Sequence, residues 1–394
     1  MANTRSLVVS YLLYFMFVGV TLPFLPVYLR TLGLEPAAIG VLLSTGPFFA
    51  LVAPPLWGQL ADRTGRPGVV LLVLSAGSLV GFAVLLGATS FAGVLGALAL
   101  FASFNAATTT LLDSLALAAV QRHGGSFARL RTFGSLGFVV STLAFGFGVD
   151  AVDRRVVVVA LALIAAFTGW ALATLARAPP VERRGPRANL SGAFALLRDP
   201  QLRWLLLSSA THWVASAPYH GSLGLHFSAL AFPPSTLGLS SSVAVTSEVL
   251  VLATWPRWSH RLSPRAVLLV AFAASACRWA AMGLTTSQGG LVALAALHGL
   301  SFGAFYVASI SWVAARSPES LRATGQALFV AATFGLGGLV GFTGAGQLYE
   351  RLGGQWLFLV AAAAELLPAA IAWWRLGDPG APRTNPAPGA APLR

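Results

Sequence analysis

Twelve apolar runs follow one another along the 394-residue chain, at 7–29, 38–60, 67–88, 91–119, 129–149, 154–177, 201–228, 236–258, 264–285, 288–315, 321–349 and 353–375. The breaks between them are marked by Gly, Pro or charge. Each run has about twenty residues or more, enough to cross a bilayer as a helix. Inside lipid every backbone N–H and C=O needs a partner from the chain itself, and a helix supplies those partners locally. Hydrophobic residues make up 56% of the chain and charged residues 9%, which lies outside the range of a soluble domain of this size. The expected fold class is an all-α membrane protein with twelve transmembrane helices.

The net charge of +13 would point to nucleic acid in a soluble chain. Here its source is the loops, and no nucleic-acid partner is expected. All 25 basic side chains are Arg. With the N-terminus inside, Arg63, Arg66, Arg122, Arg183, Arg184, Arg316 and most of the others fall on the cytoplasmic side. Only Arg30, Arg154, Arg155 and Arg351 fall on the opposite side. Retention of positive charge inside predicts cytoplasmic termini and a multi-pass protein of the inner (plasma) membrane, with the lipid bilayer as its partner. The first run is long enough to stay as a helix, so no cleavable leader is expected. The single Cys277 excludes an intramolecular disulfide and a cysteine-rich metal site. The His residues lack a His-x-x-x-His spacing, so no metal is expected. No Gly-x-x-x-x-Gly-Lys loop is present, because the chain has no Lys. No cofactor is expected, and work must be driven by an ion gradient.

Residues 58–67, Gly-Gln-Leu-Ala-Asp-Arg-Thr-Gly-Arg-Pro, form a charged island between the second and third runs. Gly58, Leu60, Asp62, Arg63, Gly65 and Arg66 resemble the signature loop between helices 2 and 3 of the major facilitator superfamily. The resemblance implies two pseudo-symmetric six-helix bundles and a gating role for Gly58, Asp62, Arg63, Gly65 and Arg66. The halves also repeat. A shift of 198 residues places Gly40 on Gly238, Trp57 on Trp255 and Arg63 on Arg261, and Thr132-Phe133-Gly134 is echoed by Thr333-Phe334-Gly335. Parallel halves around a midplane site are the layout of a facilitator-type transporter. The expected division is an N-terminal six-helix bundle over 1–177, a cytoplasmic linker over 178–200, a C-terminal six-helix bundle over 201–376 and a disordered cytoplasmic tail over 377–394. The linker carries Pro179, Pro180, Arg183 and Arg184, and the tail is rich in Pro, Gly and Ala.

An ionisable group inside a membrane helix costs about 2.5–3.5 kcal/mol or more at the centre and is a functional candidate by default. The apolar runs hold Asp113, Arg131, Glu248, Arg278, His298 and Glu365, with His212 and His220 as weaker cases. In an antiparallel helix pair, residues equally far from the turn lie at equal depth. Asp113 and Arg131 are each nine residues from Arg122, which allows an ion pair. Glu248 and Arg278 are each fifteen from Ser263, and Arg278 and His298 each ten from Gln288. An acid, a guanidinium and an imidazole at one level are the parts of a proton relay, because low dielectric favours a protonated acid and a nearby cation favours the ionised one. Proton coupling is therefore expected at Glu248, Arg278 and His298.

The same residues resemble the subgroup that contains lactose permease, nucleoside permeases and phenylpropionate permease. Asp113 and Arg131 are similar to its helix 4/helix 5 acid–arginine pair, and Glu248, Arg278 and His298 to its helix 8 acid, helix 9 arginine and helix 10 histidine. Pro23-Phe24-Leu25-Pro26 and the Gly-Ser-Leu-Gly-Phe run over 134–138 look most like the phenylpropionate branch. The resemblance implies substrate contacts from Asp113 and Arg131, with Tyr219, His220 and His212 on helix 7. The chain departs from the pattern at Ser301, where lactose permease has its proton-bearing acid. Glu365 lies on the last run, which is peripheral in this fold, and is expected to be structural. The expected function is a monomeric secondary active transporter, a proton-coupled symporter that imports a small organic solute such as an aromatic carboxylate by alternating access. The alternatives are a proton antiporter exporting drugs or metabolites and, from another class, a non-transporting sensor or an intramembrane enzyme. Helix 5 lacks the Pro of the exporters' helix 5 motif, which favours import. No nucleophile–base or metal constellation supports an enzyme, so there is no catalytic residue to name.

Overall fold

The computed structural model describes residues 4–177, 190–258 and 261–378. They form helices and turns, with no strand among them. In chain order the α-helices are α1 (Thr4–Thr31), α2 (Pro36–Leu43), α3 (Thr45–Thr64), α4 (Pro67–Gly87), α5 (Phe91–Asn105), α6 (Thr108–His123), α7 (Phe127–Gly148), α8 (Arg155–Trp170), α9 (Leu190–Leu197), α10 (Pro200–Ala229), α11 (Pro234–Trp258), α12 (Pro264–Leu284), α13 (Gln288–Leu294), α14 (Phe305–Arg316), α15 (Arg322–Val330), α16 (Gly338–Ala364) and α17 (Leu366–Arg375). Residues 178–189 of the expected linker and 379–394 of the expected tail lie outside the described residues. The linker's other end is helical in α9.

Local sequence sets the helix starts. Pro occupies the first turn of α2, α4, α10 and α12, where its missing N–H costs nothing. Ser90, Ser126, Ser263 and Ser287 each accept a backbone N–H three residues on, at the starts of α5, α7, α12 and α13. Gly65 ends α3 at φ 62°, a left-handed position suited to Gly.

Ten described segments are long and apolar enough to cross a membrane, rather than the twelve expected. The difference has two sources. One segment, Glu319–Arg375, is 57 residues long. As a single helix it would measure about 85 Å, nearly three bilayer cores. Its chain turns at Gly353, φ 75° and ψ 174°. The other source is α10, which has 30 residues but falls short on hydropathy. It carries His212, His220 and His226 and several Ser, most of them buried. A helix surrounded by protein can hold polar groups that a lipid-facing helix cannot.

Two bundles result. In one, α1 packs on α7 and α8, and α4 on α5 and α8. In the other, α10 packs on α16 and α17, and α12 on α16 and α14. They meet near the ends away from the chain termini, through α2 with α16, α7 with α11 and α1 with α10. The contact is close because it is made at glycines. A Cβ on Gly346 would lie 2.4 Å from the Pro36 carbonyl oxygen and 2.9 Å from Gly40 Cα. A Cβ on Gly146 would lie 3.0 Å from the Pro234 oxygen and 3.2 Å from Gly238 Cα. Gly40 and Gly238 are the pair that the 198-residue repeat superposes, so the two crossings are copies of one another. Such approaches bring backbones into van der Waals contact without a hydrophobic drive.

The charged island is more helical than its sequence implies. Gly58, Asp62 and Arg63 lie on the last turns of α3, which continues to Thr64, and only Gly65 and Arg66 separate it from Pro67. Charge alone does not end a helix, whereas a left-handed Gly does.

Candidate functional site

The first polar cluster belongs to the N-terminal bundle. α6 ends at His123, Gly124 takes φ 74°, and the Ser126 cap starts α7. This short turn sets Arg131 beside Asp113. Nη1 of Arg131 donates to Asp113 Oδ2 at 2.8 Å and to Oδ1 at 3.1 Å. The Tyr11 hydroxyl donates to Oδ1 at 2.6 Å, and the Phe15 ring lies 5.7 Å from the guanidinium. Neither member of the ion pair is sealed in: the side chains of Arg131 and Asp113 are 42% and 26% exposed. Sequence reasoning missed Tyr11. Its signal was a tyrosine in an apolar helix, whose hydroxyl needs a partner when buried.

The second cluster belongs to the C-terminal bundle and centres on Arg278, which is wholly buried. Its Nη1 donates to His298 Nδ1 at 3.1 Å and to the Ser301 hydroxyl at 3.2 Å. Because Arg keeps its protons, the His298 Nδ1 must accept, which makes this imidazole neutral with its proton on Nε2. The Tyr219 and Trp279 rings lie 4.0 and 4.7 Å from the guanidinium carbon. Nε and Nη2 of Arg278 are buried without a hydrogen-bond partner. His298 stacks on Phe302 at 5.2 Å and 9°. The backbone here is irregular, a 3₁₀ turn over Ala295–Leu297 and a π turn over Gly299–Ala304, and such turns mark functional bends in helices.

Glu248 does not join this cluster as expected. Among the described residues it makes no hydrogen bond or ion pair. The cation acting on it is Arg131 of the opposite bundle, and its charge is also felt by Tyr306. Counting residues from a turn sets depth along a helix but not the direction in which a side chain points. The Glu248 side chain packs instead on the π turn, where a Cβ on Gly303 would lie 3.3 Å from its Cγ.

Two further expectations are corrected. His212 does not line a substrate cavity: it is 1% exposed, between Phe272 and Phe305, with Nδ1 2.9 Å from Glu365 Oε2. Glu365 is not peripheral but wholly buried, at the break between α16 and α17. The Trp279 indole N–H donates to its Oε1 at 3.2 Å, and the Ser216 hydroxyl lies 3.5 Å away. α17 does face outward at Trp373 and Trp374, but Pro368, Ile371 and Ala372 are buried and the helix packs on α10 and α12.

Tyr219 and His220 do border a cavity. It has a volume of about 70 Å³, lies between the bundles, and is lined by Pro23, Phe138, Tyr219, His220, Ser241 and His298 among others. His220 stacks on Trp213 at 4.7 Å, and Phe302 and Tyr306 continue the aromatic wall. Among the described residues no group of His, Cys, Asp and Glu could hold a metal ion.

The pattern that defines the MFS_1 like family matches residues 4–360. The maltose permease of Geobacillus stearothermophilus is 31% identical over 354 residues, 88% of this chain and 89% of that protein. The probable 3-phenylpropionic acid transporter of Escherichia coli (strain K12) is 29% identical over 378 residues, 93% of this chain and 96% of that protein. The crystal structure of a single-residue variant of the nucleoside transporter NupG superposes with a TM-score of 0.85 at 20% identity, covering 94% of this chain and 98% of that one. Two helical bundles that meet at repeated glycine crossings, with polar clusters facing their interface, agree with these likenesses: the chain belongs to the MFS_1 like family of the major facilitator superfamily, and is a multi-pass membrane transporter, not an enzyme.

Proposed function

We propose that this transporter imports a small organic anion, an aromatic carboxylate, together with a proton, as a monomer of the inner membrane with both termini in the cytoplasm. The observation that carries the reading is Arg278. It is a fully buried cation that lies against two aromatic rings, with Nε and Nη2 unpartnered. Each buried donor left without a partner costs about 1–3 kcal/mol, and more when charged. A carboxylate accepts two parallel guanidinium bonds and would relieve that cost. The adjoining wall of Tyr219, His220, His298 and Phe302 suits a flat ring. The likeness to a probable 3-phenylpropionic acid transporter supports the same class.

Asp113, Arg131 and Tyr11 supply the facing half of the solute site, with Glu248 opposite Arg131. The glycine crossings close one end of the path, so the conformation is read as inward-facing. Asp62, Arg63, Gly65 and Arg66 serve the gate at the other end. Import of an anion with one proton moves no net charge. A gradient of one pH unit then sustains about tenfold accumulation, while membrane potential adds nothing.

The test is uptake of radiolabelled 3-phenylpropionate into proteoliposomes with an alkaline interior, with maltose and nucleosides as competitors. Accumulation above the outside concentration that collapses with the pH gradient is expected. Exclusion of the solute under the same gradient would establish antiport instead.

A further inference from the structure

Glu365 and His212 are the most deeply buried acid and imidazole among the described residues, and the solute site does not use them. They are 0% and 1% exposed and 2.9 Å apart. α10 contributes His212 and Ser216, with Tyr219 and His220 on its following turns. α12 contributes Trp279 and, behind its ring, Arg278, with His298 beyond. From α12 and α14, Phe272 and Phe305 wall the imidazole.

Arg278 and Glu365 are one indole apart. The Trp279 ring lies 4.7 Å from the Arg278 guanidinium carbon, and its N–H binds Glu365. Among the described residues no carboxylate touches Arg278. An uncompensated charge in apolar protein is costly, so the buried charges of this bundle are linked. With the solute site empty, Glu365, one indole away, is the carboxylate placed to balance Arg278. A carboxylate seated on Arg278 replaces that balance and leaves Glu365 as excess negative charge. One proton on the pair restores neutrality. That proton sits on the Glu365 carboxylate, and its O–H then donates to His212 Nδ1 across the 2.9 Å hydrogen bond.

We propose that the Glu365–His212 pair carries the co-transported proton, linked through Trp279 to Arg278 so that proton and carboxylate are taken up together. This rests on the import reading above and moves the coupling acid from Glu248 into the core of the bundle. Linkage is reciprocal: a bound carboxylate tightens proton binding by the same factor as the proton tightens carboxylate binding.

Two measurements test it. The first needs no solute. The infrared carbonyl band of protonated carboxylic acid is followed with pH in purified wild type, Glu365→Gln, Glu248→Gln and Arg278→Gln. A titrating band is expected to be lost in Glu365→Gln and retained in Glu248→Gln. In Arg278→Gln, which removes the balancing cation, it persists to a pH higher by about one unit or more. The second measures 3-phenylpropionate in proteoliposomes. Glu365→Gln is expected to keep exchange across the membrane but lose accumulation driven by a pH gradient. Uphill accumulation by Glu365→Gln, or loss of the band in Glu248→Gln instead, overturns the assignment. If wild type itself ignores 3-phenylpropionate, the solute reading falls and the infrared titration alone decides the proton site. If Glu365→Gln does not fold, Trp279→Phe replaces it. It keeps the ring and removes one hydrogen bond to Glu365, and an infrared midpoint within about half a pH unit of wild type overturns the linkage.

Discussion

Replacing Gly346 by Val should force the two bundles apart where they now close. A Cβ there would lie 2.4 Å from the Pro36 carbonyl oxygen and 2.9 Å from Gly40 Cα, distances that no side-chain rotation relieves because both partners are backbone. The helices must separate by roughly 1 Å to restore contact. Overpacking of this kind costs about 1–3 kcal/mol, which changes the closed-to-open ratio about 5- to 150-fold. Gly344, on the same helix, has nothing within 4 Å of its Cβ position, so Gly344→Val is a matched control. The assay places a cysteine at Ser241, which borders the interbundle cavity, in a Cys277→Ser background. Its reaction with a membrane-impermeant maleimide is then timed from the outer face. Gly346→Val should speed labelling at least fivefold, and Gly344→Val should not. Equal rates in the two variants would refute the reading that the glycine crossing is what shuts this end.

At the solute site, Asp113→Asn and Arg131→Gln should each abolish high-affinity solute binding measured by calorimetry, because either leaves a charge without its partner. The double variant should recover expression but not binding, and full transport by it would make the pair structural. Asp62→Asn should slow transport severalfold while leaving solute affinity unchanged, and normal uptake rates would remove the island from the gate. A potassium diffusion potential imposed with valinomycin at equal pH should drive no accumulation, since anion and proton cancel. Potential-driven uptake would mean that an uncharged solute is carried.

Much of this protein was legible in its sequence because the bilayer permits few solutions. Long apolar runs have to be helices, since only a helix satisfies its own backbone inside lipid. Pro67, Pro264, Ser126 and Ser263 act on the helix they begin, and their effect is local. The Asp113–Arg131 contact was readable too, because a short turn joins α6 to α7 and fixes their relative depth. The copy of Gly40 at Gly238 was visible as a repeat before the crossing it makes was known.

The partners of Glu248, His212 and Glu365 were decided only by tertiary structure. Residue counting gives a depth, but rotation about the helix axis selects the neighbour. It set Glu248 against Gly303 and left it out of the Arg278 cluster. His212 and Glu365 are separated by 153 residues, and no turn relates them; packing of α10 against α17 brings them together. Its place on the last, peripheral run made Glu365 look structural at the edge of the fold, yet an acid in that position is tolerable only where other chain segments offer it an imidazole, an indole N–H and a hydroxyl. Sequence thus determined that the chain crosses a membrane in repeated helices and where each helix begins, because those choices depend on neighbouring residues and on the solvent. Which buried charges answer one another depends on helices distant in the chain, and only the packed structure decided it.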